Sequence, residues 1–117
     1  MILNEIKEKL EEVDPIVFYG AVKRKKMQEK PWNYTVFNRK LLRTGTNKTS
    51  YSDVYTVNIV REEFIPEGLA EEIVAKLEEI KGMKLAGNDS EYTYMVKPNS
   101  DDVVEMLSID FTRARKK

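Results

Sequence analysis

Apolar residues at Leu3, Ile6, Leu10 and Val13 recur at helical spacing, with Glu5, Glu8, Glu11 and Glu12 mostly on the other side. The pattern predicts an amphipathic helix. Asp14-Pro15 ends it, because proline disfavours helical geometry in the residue before it and has no amide proton to donate. A short apolar run from Ile16 to Tyr19 then reads as a strand. From Trp32 the period becomes two. Trp32, Tyr34 and Val36 share a face, and the run continues through Phe37 to Leu42 with a change of parity that predicts a bulge near Val36 to Asn38. A polar, turn-forming stretch from Thr44 to Ser50 leads into a second alternating run, Tyr51 to Phe64. Here Tyr55, Val57 and Ile59 face one way and Val54 and Val60 the other. Two long strands joined by a short loop predict an antiparallel hairpin. Apolar residues on both of its faces predict a central pair, with helices over one face and the other against a partner.

Pro66-Glu67-Gly68 opens a second helix in which Leu69, Ile73, Leu77 and Ile80 form a stripe and Gly82 is placed to cap the end. Its acidic residues Glu71, Glu72, Glu78 and Glu79 lie outside the stripe. The remaining residues repeat the hairpin: Tyr92, Tyr94 and Val96 alternate, residues 98–102 turn, and Val103, Leu107, Ile109 and Phe111 alternate again. The predicted order is α-β-β-β-α-β-β. It implies an α+β domain with a mostly antiparallel sheet and both amphipathic helices packed on one face. Residues 1–117 form a single domain, and the basic tail at 113–117 is expected to fray.

Composition narrows the chemistry. A chain of 117 residues with 41% apolar content can support one core without staples. It contains no cysteine and no histidine, which excludes Cys/His zinc sites, cysteine nucleophiles, Ser-His-Asp triads and imidazole switches. The lack of cysteine fits a reducing compartment, and the opening residues show neither a basic n-region nor a long apolar run, so a soluble cytoplasmic protein is expected. No apolar stretch approaches the roughly 20 residues that cross a bilayer, so no membrane association is expected.

Twenty basic and twenty acidic residues cancel, but they are segregated. Residues 1–20 carry −3, residues 21–50 carry +8, residues 51–110 carry −9 and the last seven carry +4. The positive block holds Lys23, Arg24, Lys25, Lys26, Lys30, Arg39, Lys40, Arg43 and Lys48. These are the candidate interface or polyanion-facing residues; solvated loops and helix faces with no partner are the alternative.

Three further patterns bear on chemistry. The segment Gly45 to Thr49 resembles the end of a phosphate-binding loop, but Asn47 stands where glycine is needed and a strand follows instead of a helix, so a hairpin loop is the expectation. The carboxylates Glu62 with Glu63, Asp89 with Glu91, and Asp101, Asp102 and Glu105 are the only acid–base or cation-binding candidates. They are expected at a strand end and in turns, with no catalytic, metal or cofactor role. The lysine run near Tyr19, Trp32 and Tyr34 suits a nucleic-acid-binding or regulatory module, with lysines on phosphates and aromatics on bases, although core packing explains the aromatics equally.

The acidic first helix, the segment Phe18 to Lys26, the stretch Pro31 to Leu69 and the closing stretch Lys97 to Lys117 together resemble small tail-gene products of bacteriophages and prophages of Gram-positive bacteria. The family is that of tail terminators, or tail-completion, minor tail and head–tail joining proteins. The resemblance implies an α+β protomer that assembles into a homo-oligomeric ring, commonly a hexamer, capping the tail tube and docking to the head connector. It implies a structural, non-enzymatic protein without cofactors, located in the host cytoplasm during assembly and then in the virion tail. Non-specific contact with DNA is a further expectation of the basic block.

Overall fold

A computed structural model describes residues 1–21, 32–44, 50–87, 89–98 and 100–116. Two helices and six strands follow one another: α1 (Ile2–Glu11), β1 (Val17–Tyr19), β2 (Tyr34–Thr44), β3 (Ser50–Glu62), α2 (Leu69–Glu78), β4 (Met83–Leu85), β5 (Glu91–Val96) and β6 (Val103–Lys116). The class and order are those the sequence predicts, with the three-residue β4 added after α2. All six strands join one sheet in the order β1-β2-β3-β6-β4, and β5 also pairs with β6. Only β1 and β2 run parallel among the described strands.

Pleating sends Phe37 of β2, Tyr55, Val57 and Ile59 of β3, and Leu107, Ile109 and Phe111 of β6 to one face, where they form the core with Ile6 and Leu10 of α1 and Ile73 and Leu77 of α2. Both helices therefore lie on that face. Each buries one stripe, and the acidic residues in the first turn of α2, Glu71 and Glu72, favour its positive end. On the far face Val54, Val60 and Val104 are buried, and the ring of Phe18 meets that of Tyr34 edge-on at 5.9 Å.

One polar knot ties the end of α1 to the sheet. The Asp14 carboxylate, 2% exposed, accepts hydrogen bonds from the Ile16 amide at 3.0 Å, Thr35 Oγ1 at 2.7 Å and Arg61 Nη2 at 2.7 Å. Arg61 Nη1 also donates to the carbonyls of Tyr34 and Val60, at 3.1 and 2.7 Å. Among the described residues, no buried side-chain polar atom lacks a hydrogen-bond partner.

One detail corrects the sequence reading. The β2 bulge falls at Lys40, between Arg39 and Leu41, not at Val36 to Asn38. The ladder stays regular as far as Arg39, which opposes Tyr55, and slips only where Lys40 turns its amine to Asp110. At its end β6 runs on to Lys116, because β3 starts at Ser50, early enough to pair each residue from Arg113 to Lys116. Lys117 lies outside the described residues.

Candidate functional site

The lysine run Lys23, Arg24, Lys25, Lys26 and Lys30, the loop from Gly45 to Thr49 and its Lys48 lie outside the described residues. The remaining three members of the basic block sit on β2, and the sheet divides them. Arg39 opposes Tyr55 and so projects on the helix side, whereas Arg43 opposes Ser52 and projects on the far side. Lys40, in the bulge, turns to the far side and places Nζ 2.6 Å from Asp110 Oδ2. Thr56 Oγ1 donates to the other oxygen of Asp110 at 2.8 Å. Burial pushes the Asp110 carboxyl up, but the hydrogen bonds from Lys40 and Thr56 together outweigh it and hold the group below its ordinary value.

Between these cations Leu41 and Leu42 are exposed, Leu42 at 53%. Lys84 borders the same far-side depression as Lys40 and Arg43, and Arg113 lines a helix-side depression of about 450 Å³ with Arg39, Leu42 and Ile2. Leu41 opposes Val54 and faces the far side, whereas Leu42 opposes Asp53 and faces the helix side, so each face of this end carries one leucine among cations with an aspartate beside them, Asp110 on the far side and Asp53 on the helix side. β1 covers the β2 edge only at Thr35, Val36 and Phe37, so the stretch Arg39 to Arg43 stands clear of it.

The opposite margin is different in charge and shape. β4 and β5 lie end to end along the outer edge of β6, β4 against residues 111–113 and β5 against residues 103–108. Every residue of β5 is exposed. Tyr92, Tyr94 and Val96 form its helix-side row, opposing Leu107, Glu105 and Val103. Alternation in the sequence correctly marks a strand here, but among the described residues no helix covers its apolar row, and Tyr94 remains 63% exposed. Between that row and α2 runs an open groove of about 430 Å³, lined by Val74, Leu85, Tyr92, Leu107 and Ile109 with Glu71 and Glu78 beside it. Its size lies within the range of sites that enclose a bound group. The Glu105 carboxylate accepts a hydrogen bond from Tyr94 and holds the phenol above its usual range.

The carboxylate candidates are placed individually and do not converge. Glu62 pairs with Lys97 at 2.9 Å, and Glu105 accepts the Ile65 amide at 2.7 Å. Lys97 and Asp102 close the β5–β6 hairpin, with the Lys97 amide on the Asp102 carbonyl and the Asp102 amide on Ser100 Oγ. Asp89 and Glu91 border a polar far-face groove shared with Asn38, Lys40, Thr56, Ser108 and Asp110. Among the described residues no three acidic groups are grouped to hold a metal ion, and no helix is long and apolar enough to cross a membrane.

Neither the protein-family models nor the curated proteins contain a match to the chain. The features that stand out from the fold are therefore on opposite margins of one sheet: a cation-rich β2 end with one exposed leucine on each face, and an exposed aromatic row on β5 beside an acidic helix.

Proposed function

We propose that this protein is a structural assembly subunit of the kind its segments resemble, a tail-terminator or head–tail joining protein. In this reading copies close into a ring, commonly a hexamer, that caps the tail tube and presents the docking surface for the head connector. It acts in the host cytoplasm during assembly and then as part of the virion tail, without catalysis or a cofactor. The observation that carries the reading is the uncovered β5 margin. Edge strands in isolated proteins are blunted by charge, proline or bulges. The β2 edge has both charge and a bulge, whereas Tyr92 to Val96 has none of these devices. Leu85, Tyr92, Tyr94, Val96 and Val103 together leave on the order of 450 Å² of side chain in water, taking large side chains at roughly 150–250 Å² each. That is about half of one partner's share of a standard interface of ~800 Å².

Electron microscopy of the purified protein with tail tubes tests the reading. Wild-type protein is expected to form closed rings at tube ends. The double variant Tyr94→Lys and Val96→Lys is expected to remain folded, since both positions are exposed, but to give no rings. A wild-type protein that stays monomeric, and that binds DNA with an affinity falling steeply as salt rises, would replace the assembly reading by a nucleic-acid-binding one.

A further inference from the structure

We propose that two copies of this chain join edge to edge through β5, antiparallel about a two-fold axis at Tyr94. The backbone points to this contact. The Lys97 amide donates to the Asp102 carbonyl at 3.0 Å, and these two residues continue the register in which Val96 opposes Val103. In an antiparallel ladder, residues that bond across to the neighbouring strand alternate with residues that do not. Glu91, Thr93 and Met95 therefore bond to β6, and the amides and carbonyls of Tyr92, Tyr94 and Val96 point to the outer edge, which has no ladder partner among the described strands. Such an edge is a template for another strand.

Self-pairing must keep each face of the joined sheet continuous, so the two-fold axis has to pass through a residue and not between two. With the axis at Tyr94, Tyr92 meets Val96 of the second copy and Tyr94 meets its counterpart, so every outward-pointing residue of β5 bonds to another within the strand. On the far face Thr93 then meets Met95, and Glu91 meets Lys97, a pair of opposite charge. An axis at Thr93 sets Glu91 against Met95 and Val96 against Ser90, which lies outside the strand. An axis at Met95 sets Tyr92 against Pro98, which has no amide proton. Charge and bonding thus select the same register. A second copy also accounts for the uncovered row, because Tyr92, Tyr94 and Val96 become the middle of a joined sheet with an α2 helix on either side. The two α2 helices, each over its own β6, stand three strand spacings apart, roughly 14 Å. That exceeds a Debye length of about 8 Å, so Glu71 and Glu78 of the two copies repel only weakly. The joint covers at most about 900 Å² of side chain, twice the share of one copy, which makes a pair that forms and parts with concentration. A two-fold contact closes on itself and makes pairs, not rings, so it does not rest on the tail reading.

The chain contains no cysteine, so one engineered cysteine reports the register. Tyr94→Cys sits on the axis, where facing Cα atoms lie about 5.5 Å apart and within disulfide reach, and mild oxidation is expected to convert it to a covalent dimer. Thr93→Cys faces Met95 of the second copy and not its own counterpart, and should cross-link at least tenfold more slowly. Sedimentation of the protein without cysteine is the second measurement. Val96→Pro deletes an outward amide and leaves the β5–β6 ladder intact, so in dilute solution it should keep the Tm of Val96→Ala yet dimerise at least tenfold more weakly. Equal cross-linking of the two cysteine variants, or a Val96→Pro dimer as tight as that of Val96→Ala, overturns the pairing. A wild-type protein that stays monomeric at every concentration overturns it as well. Pairs that give no rings at tube ends leave this contact standing and remove the assembly reading, whereas rings built by a protein that never pairs do the reverse.

Discussion

Replacing Asp14 by alanine removes the acceptor at the centre of the polar knot and leaves three donors behind. The Arg61 guanidinium, whose side chain is only 13% exposed, keeps its carbonyl contacts but loses its counter-charge. The Thr35 hydroxyl, on a fully buried residue, and the Ile16 amide lose their partner as well. Breaking a buried ion pair by deleting one member costs about 3–5 kcal/mol, because the remaining charge is stranded. The unfolding entropy of 117 residues, at about 2.1 cal/mol/K each, makes 1 kcal/mol worth roughly 4 °C. The expected fall in Tm is therefore about 12–20 °C, read by circular dichroism, with a matching loss in urea. The companion variant Asp14→Ala with Arg61→Met removes both charges and should be no less stable than Asp14→Ala alone, since the stranded guanidinium is gone. Lys9→Ala serves as the comparison: Lys9 reaches Glu79 at 2.8 Å but in an exposed, solvent-screened pair, and its loss should leave Tm nearly unchanged. If Asp14→Ala costs no more than Lys9→Ala, the knot is not what anchors the end of α1.

Leu77→Ala opens a cavity between α2 and the sheet at a fully buried position and should cost about 2–5 kcal/mol by urea denaturation. Gly82→Ala meets only an ordinary contact with Arg113 at 3.6 Å, so its cost comes from the backbone; at φ 84° about 1 kcal/mol is expected, and no measurable loss would refute the strain argument. Asp110 has its folded-state pKa lowered, so its contribution is present above the ordinary carboxylate value and is lost as pH falls through the folded value. The stability difference between wild type and Asp110→Asn should accordingly be constant near neutral pH and shrink below about pH 4. A difference that grows with acid would reverse the assignment.

Long periodic segments were the legible part of the fold. Helical stripes on α1 and α2 and alternation on β2, β3, β5 and β6 mark elements because each buries a regular face or pairs along its length. The three-residue β4 was not legible, since Met83 to Leu85 is too short to show a period. The sequence marks Asp14 only as part of a helix stop. Its partners lie 21 and 47 residues away, and no local pattern announces that they converge on a buried carboxylate. The candidate surfaces divide in the same way. The basic block was visible as composition, but pleating and a one-residue bulge send its β2 members to different faces, which a charge count cannot show. For β5, alternation reveals which side chains share a face but carries no information on whether a helix reaches over them. α2 covers β6 and stops short.

The position of β6 has a consequence for how the fold comes into being. Its residues 103–116 supply the inner neighbour of β3 and the only ladder partner of β4 and β5 among the described strands. Three strands made earlier thus wait for a fourth, and β3 pairs with residues 42 to 66 positions further along the chain. On the ribosome, α1, β1, β2 and β3 emerge with one long edge of β3 unpaired, and that edge stays open until residue 116 has cleared the exit tunnel. Such an edge is a place where nascent chains join one another wrongly. Distant pairing of this kind also slows closure, so the fold depends on late-arriving contacts more than its two helices would indicate.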